Sequence, residues 1–374
     1  MRRILLLLAA TAALASAQSS DLKVYIGTYT NQGSKGIYLA RLNTATGALS
    51  APELAAEIPN PTFLTIHPSS KYLYAANEIG NYNGQRSGSV SAFSIDPSTG
   101  KLTPLNAVSS KGQGPCHVST DAKGRFCFAA NYGGGTVASY AIGADGKLSD
   151  AVSAIQHEGK GANPKRQERP HAHSINTSPD GRFAIAADLG IDELIVYAVD
   201  QKTGALTRHS SVKTAPGAGP RHFDFHPRLA RAYAINELSC TVAAYDWDAK
   251  AGSLKELAAV STLPAGLVVP NNSTAEVRVH PSGRFLYGSN RGHDSIALFA
   301  LDSKGLPTFV ETVSSGGVMP RNFNIDPSGR WLLAANQRTG NVVVFSIDPK
   351  TGRLKDTGNK IEVNGAVCLR FLGK

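Results

Sequence analysis

The chain has 374 residues, 42% of them hydrophobic and 18% charged, with 37 glycines and 20 prolines. Such a composition belongs to a folded, turn-rich domain and excludes a disordered or low-complexity chain. The formal charge of +10 comes from scattered Lys and Arg without any nucleic-acid motif, and fits either an anionic substrate or a generic basic exported protein.

Met1-Arg2-Arg3, the apolar run Ile4 to Ala15 and the small residues Ala15-Ser16-Ala17 have the form of a secretory signal peptide over residues 1–17. The run is too short to span a bilayer. The sequence therefore predicts a protein exported to the periplasm or beyond, without a membrane partner after cleavage and with a charge of +8 once Arg2 and Arg3 are gone.

Residues 18–374 repeat one unit. Each copy reads as a short apolar strand, a Pro-containing turn, a second apolar strand closed by Asn or Asp, a loop, and a third alternating strand. The closing residues are Asn77, Asn131, Asp188, Asn236, Asn290 and Asn336, with Thr28 as the first member, at steps of 46 to 57 residues. A period near 50 with four short strands per unit predicts an all-β fold, a seven-bladed β-propeller of four-stranded antiparallel blades in a single domain.

The first hairpin turn recurs as His67-Pro68-Ser69-Ser70, Ser178-Pro179-Asp180-Gly181, His226-Pro227, His280-Pro281-Ser282-Gly283 and Asp326-Pro327-Ser328-Gly329. Proline presets φ there and glycine supplies the left-handed position. A later turn recurs as Asp96-Pro97-Ser98-Thr99-Gly100 and Asp348-Pro349-Lys350-Thr351-Gly352. At the ends, Val24 to Tyr29 reads as a second strand and Ala366 to Phe371 as a first strand lacking its blade. Pairing the N- and C-terminal strands is expected to close the ring and remove its open edges.

In an antiparallel blade the start of the first strand and the end of the second share one rim, so seven blades gather these positions around one channel mouth. First strands bring His117, His171, His173, Arg221, His222 and Arg321; second strands bring Glu78, Tyr132, Glu237, Arg291 and Gln337. The repeats separate scaffold from function. The shared Asn or Asp is read as tying the local turn, whereas Glu237, which differs from copy to copy, is a candidate for chemistry.

The segment from Arg166 to His173, RQERPHAH, follows a polar loop beginning at Gln156. Its histidines at i and i+2 are expected on one strand face, with His173 at the register of Arg221 in the next copy. No carboxylate triad accompanies them, so neither a metal nor another cofactor is expected. Cys116, Cys127, Cys240 and Cys368 lack metal-ligand spacing and are expected to be free buried thiols.

The motifs RQERPHAHS at 166–174, GAGPRHFDFHP at 217–227, Asn236-Glu237-Leu238, Ser289-Asn290-Arg291 and Pro320-Arg321-Asn322-Phe323 resemble those of the seven-bladed propeller lactonases. That family is typified by propeller-type 6-phosphogluconolactonases and by 3-carboxy-cis,cis-muconate lactonising enzymes. The resemblance implies a catalytic set of His173, Arg221, Glu237 and Arg291, with substrate contacts from His171, His222, Arg321, Arg166 and His117. The implied partner is a small lactone or carboxylate, gripped by Arg and opened by water with His173 as acid or base and Glu237 orienting it or sharing the proton. A lactonising direction, a non-catalytic binding propeller and a metal-dependent lactonase are the alternatives.

Overall fold

The second strand of each repeat, such as Tyr72–Asn77 or Phe126–Asn131, is apolar on both faces because neighbouring blades cover both faces of its sheet. By contrast Leu148–Gln156, at the outer edge of its blade, alternates buried and more exposed side chains along its length. A computed structural model describes residues 21–373; the signal-peptide reading of residues 1–17 lies outside them.

Twenty-eight strands, β1 to β28 in chain order, form seven four-stranded antiparallel sheets. Six blades use consecutive strands. The seventh joins β28 (Ala366–Phe371) to β1 (Asp21–Thr28), β2 (Gly36–Asn43) and β3 (Glu53–Glu57), so the two ends of the chain pair as expected. The innermost strands are β4 (Pro61–Ile66), β8 (Pro115–Thr120), β12 (Ala172–Thr177), β16 (Pro220–Phe225), β20 (Ser273–Val279), β24 (Pro320–Ile325) and β28. Each packs against the next, and β28 against β4, which closes the inner ring.

Three sets of repeated hydrogen bonds latch blade to blade. At the upper rim the closing Asn reaches the segment that crosses from the preceding blade's outer strand: Asn77 donates to Pro59 O, Asn131 to Ser110 O, Asn290 to Thr262 O and Asn336 to Ser315 O, at 2.7–3.0 Å. Asp188 takes the same role with a side-chain partner, His157 Nδ1 at 2.6 Å, whose Nε2 meets Tyr197 Oη at 2.8 Å. These residues tie a crossover between blades as well as the local turn, which is more than the sequence reading assigned them.

At the lower rim, His67, His226 and His280 place Nε2 2.8–2.9 Å from the carbonyls of Gly124, Gly283 and Gly329 in the following blade. Farther out, Tyr25, Tyr74, Tyr233 and Tyr287 donate to the carbonyls of Gly100, Gly146, Gly305 and Gly352, again in the next blade. The recurring shape of both turns is thus an inter-blade contact surface.

Gly283 illustrates the tightness of the fit: its φ is +65° and an added Cβ would lie 2.6 Å from the His226 ring. Gly181, in the equivalent turn, has φ +71° and no atom within 4 Å of such a Cβ. Gly181→Ala is expected to cost only the left-handed backbone penalty of about 1–2 kcal/mol. Gly283→Ala adds a clash with the latch and should lower the thermal midpoint distinctly further; equal midpoints would contradict the latch.

Candidate active site

Six of the seven inner strands begin with a register irregularity that skips one residue. Pro220 pairs with Asn236 and His222 with Ile235, leaving Arg221 unpaired, and the same happens to Thr62, Cys116, His173, Arg321 and Val367. A β-bulge re-aims the extra side chain. Here it brings Cys116, His173, Arg221 and Arg321 to the channel mouth, where they meet Glu78, Tyr132, Glu237 and Arg291 from the ends of the second strands. All of these except Arg221, which lies deeper beside His222, line a pocket of about 260 Å³, just below the ~300–1,000 Å³ usual for drug-sized ligands, so its occupant is small.

Glu237 is the hub. Its Oε1 accepts from Arg166 Nη2 at 2.6 Å, and its Oε2 lies 3.0 Å from Arg221 Nε and 2.9 Å from Arg291 Nη2. Glu237 and Arg221 are 3% and 2% exposed, so this pair is almost dry, while Arg166 reaches it from the solvent side. Burial alone would raise the Glu237 pKa, but Arg291, Arg221, His173 and Arg166 outweigh it and hold the carboxyl well below its ordinary value. Backbone carbonyls fix the arginines further: Arg221 Nη1 donates to Ala275 O and Arg291 Nη2 to Thr274 O, each at 2.6 Å.

Glu237 makes no hydrogen bond to His173 among the described residues. With its oxygens taken by three guanidinia it aligns arginines, and the expected orientation of His173, or a shared proton, has no geometric basis. His173 Nδ1 lies 3.5 Å from Cys116 Sγ, while its Nε2 makes no hydrogen bond among the described residues. Burial, then Arg221, His222 and Arg321, pushes the His173 pKa well below the ordinary histidine value, leaving a neutral imidazole. Burial and then Glu78 push the Cys116 thiol up, so it stays protonated and serves as a weak donor to the carbonyls of Ala172 and His173.

The remaining expected contacts fall into distinct places. Arg166 enters the mouth from the loop after Gln156, which is clamped by Gln167 Nε2 to Leu189 O and Asp192 Oδ1. His117 and His222 lie one layer deeper, with Phe63, as a floor of ring contacts at 4.3–5.5 Å between centroids. His222 Nε2 sits 3.1 Å from Arg221 Nη1 and must accept there, which leaves its proton on Nδ1, 3.1 Å from Glu276 Oε2. Burial and nearby cations lower the pKa of both floor histidines.

His171 departs from expectation. Strand β12 begins only at Ala172 and bulges at His173, so the two histidines do not share a face. His171 stacks on Tyr132 at 4.4 Å and places Nδ1 and Nε2 near Tyr132 O and Glu168, behind the pocket wall. Gln337 lines a separate groove with Gln32 and Arg338. Tyr29 was missed, although it follows Thr28 as Glu237 follows Asn236; its Oη donates to Glu78 Oε2 at 2.8 Å and accepts from Arg321 Nη2 at 3.2 Å. Cys116 was read only as a thiol, though its register with His173 was available.

All four cysteines are free. Among the described residues no group of three His, Cys, Asp or Glu is arranged to hold a metal ion.

The fold and the site together define a closed seven-bladed propeller with a small, arginine-rich pocket at one mouth. The lactonase, seven-bladed beta-propeller family matches residues 23–371, and the chain belongs to that family. It is 42% identical over 349 residues to the 6-phosphogluconolactonase of Bacillus subtilis, covering 93% of this chain and 97% of that one. The solved periplasmic gluconolactonase of Pseudomonas aeruginosa superposes with a TM-score of 0.89 at 34% identity, over 95% of this chain and 99% of that one. A solved protein from Lactobacillus plantarum gives 0.87 at 33% identity, over 94% and 100%.

Removing the Glu237 charge strands buried Arg221. Glu237→Leu is expected to destabilise the protein by about 3–5 kcal/mol, read by denaturant unfolding. A loss below about 1 kcal/mol would mean that the cluster does not organise the mouth.

Proposed function

We propose that this protein is a lactone hydrolase of the 6-phosphogluconolactonase type, exported through its N-terminal segment, that opens an anionic sugar lactone at the mouth pocket. The observation that carries the reading is the meeting of a neutral imidazole, with a free Nε2, and a cluster of carboxylate-aligned guanidinia in one small pocket. The 42% identity to the Bacillus subtilis 6-phosphogluconolactonase supports the substrate type. The description of the Pseudomonas aeruginosa relative as periplasmic supports the exported location.

In the proposed reaction the lactone carbonyl faces Arg291 and Arg221. His173 Nε2 takes a proton from water as its oxygen bonds to the carbonyl carbon. The oxyanion of the tetrahedral intermediate is stabilised by guanidinium N–H groups that Glu237 has already aligned, so little reorganisation is needed. Collapse restores the carbonyl and breaks its bond to the ring oxygen, which takes the proton back from His173 and leaves as a hydroxyl. Water and lactone become the hydroxy acid, and the histidine ends neutral.

The low pKa of His173 suits this cycle. It keeps the base form available at neutral pH and makes the transient imidazolium a strong acid for the leaving oxygen. Glu237 remains ionised throughout and carries no proton.

His173→Ala should lower kcat on freshly prepared 6-phosphogluconolactone by about 10²–10⁴-fold, measured against the spontaneous rate. Because the folded-state pKa is depressed, His173 keeps its base form as pH falls past the ordinary histidine value of about 6.5. The acid limb of kcat/KM should therefore lie below that pH. A limb at or above it, or wild-type rates equal to the blank on phosphorylated and unphosphorylated lactones alike, would reject the mechanism or the activity respectively.

A further inference from the structure

The four arginines at the mouth are not equivalent. Arg166, Arg221 and Arg291 all pair with Glu237, whereas Arg321 belongs to no ion pair among the described residues. Its Nη2 donates to Tyr29 Oη at 3.2 Å, and its guanidinium lies 5.6 Å from the centre of the Tyr29 ring. Tyr29 in turn donates to Glu78, which also accepts from Thr62 Oγ1 at 2.8 Å. Glu78 therefore fixes the tyrosine that fixes the arginine, without neutralising the arginine by direct contact.

Burial works against the charge of Arg321, but Tyr29, Glu78 and Glu237 more than offset it, so the guanidinium stays protonated. A partly buried cation without a carboxylate partner is costly to maintain. A bound anion supplies the partner. The mouth as a whole carries four arginines against Glu78 and Glu237, a surplus of two positive charges that matches a dianion.

The position of Arg321 gives this surplus a direction. Around the ring of inner strands the order is β12, β16, β20, β24, so His173 on β12 and Arg321 on β24 stand three blades apart in a ring of seven, on opposite sides of the mouth. Both line the same pocket. A ligand whose reacting carbon lies beside His173 points its far end at Arg321.

Building on the proposed lactonase reading, we infer that Arg321, oriented by the Tyr29–Glu78 pair, is the specificity subsite for a remote phosphate monoester on the substrate, separate from the Arg221–Arg291 pair at the reacting carbonyl. Guanidinium geometry suits a two-point grip on phosphate oxygens, and Tyr29 Oη borders the same spot. A neutral lactone has nothing to place there.

The test compares wild type, Arg321→Gln and Arg321→Lys on 6-phosphogluconolactone and on unphosphorylated gluconolactone. Calorimetric binding of 6-phosphogluconate and gluconate runs alongside and does not depend on turnover. The subsite predicts that Arg321→Gln lowers kcat/KM for the phosphorylated lactone by about 10–100-fold. It predicts a distinctly smaller loss for the unphosphorylated one, so that the preference for the phosphorylated lactone falls, with a parallel loss of 6-phosphogluconate affinity and partial recovery in Arg321→Lys. Tyr29→Phe, which keeps the ring but frees the guanidinium, should shift the same ratio by a smaller factor.

Equal losses on both lactones, or wild-type binding that does not favour the phosphorylated acid over gluconate, would overturn the subsite. If no lactone turns over but 6-phosphogluconate binding still depends on Arg321, the lactonase reading fails and the anion subsite stands.

Discussion

One buried carboxylate, Glu237, receiving three guanidinia is the interaction on which the mouth depends. Arg166, Arg221 and Arg291 come from a loop and from two different blades, and the two buried ones, Arg221 and Arg291, repel each other. Glu237 converts that repulsion into a fixed fan of N–H donors. The same cluster biases the protonation of its neighbours: burial, reinforced by Arg221, keeps His173 and His222 neutral, and the guanidinia keep Glu237 ionised.

Such a cluster needs a rigid frame, and the propeller supplies it by repetition. The Asn, His and Tyr latches each join one blade to the next, so the seven inner strands hold their spacing around the channel. The bulge at the start of six of the seven inner strands then turns one side chain of each toward the mouth. A fold whose blades repeat closely can thus present a different residue from each bulged strand at one rim. Chemistry varies while the frame does not.

That division explains what was legible in the sequence. The scaffold residues recur with a period near 50, so Asn77, His226 or Gly352 could be placed from the repeats alone, as could the closure of β1 on β28. Within the mouth, the contrast between recurring Asn236 and non-recurring Glu237 pointed to the side chain that gathers the guanidinia, and alignment of His173 with Arg221 gave a shared register. The bulge was not legible, since it changes register without changing composition; that is why His171 and His173 part company. Tyr29 stayed hidden because its blade is split between the chain ends. The role of Glu237 depended on Arg166, a residue 71 positions away on a loop without periodicity.

The alignment of arginines by Glu237 for an anionic lactone is tested by the rate of 6-phosphogluconolactone opening, above the spontaneous rate, by wild type and by Glu237→Gln, with circular dichroism and thermal melting on both. Wild type should turn over saturably and a folded Glu237→Gln variant should lose most of that activity, because the amide accepts fewer guanidinium contacts and carries no charge. A folded Glu237→Gln variant with wild-type kcat/KM would show that Glu237 does not act in this way.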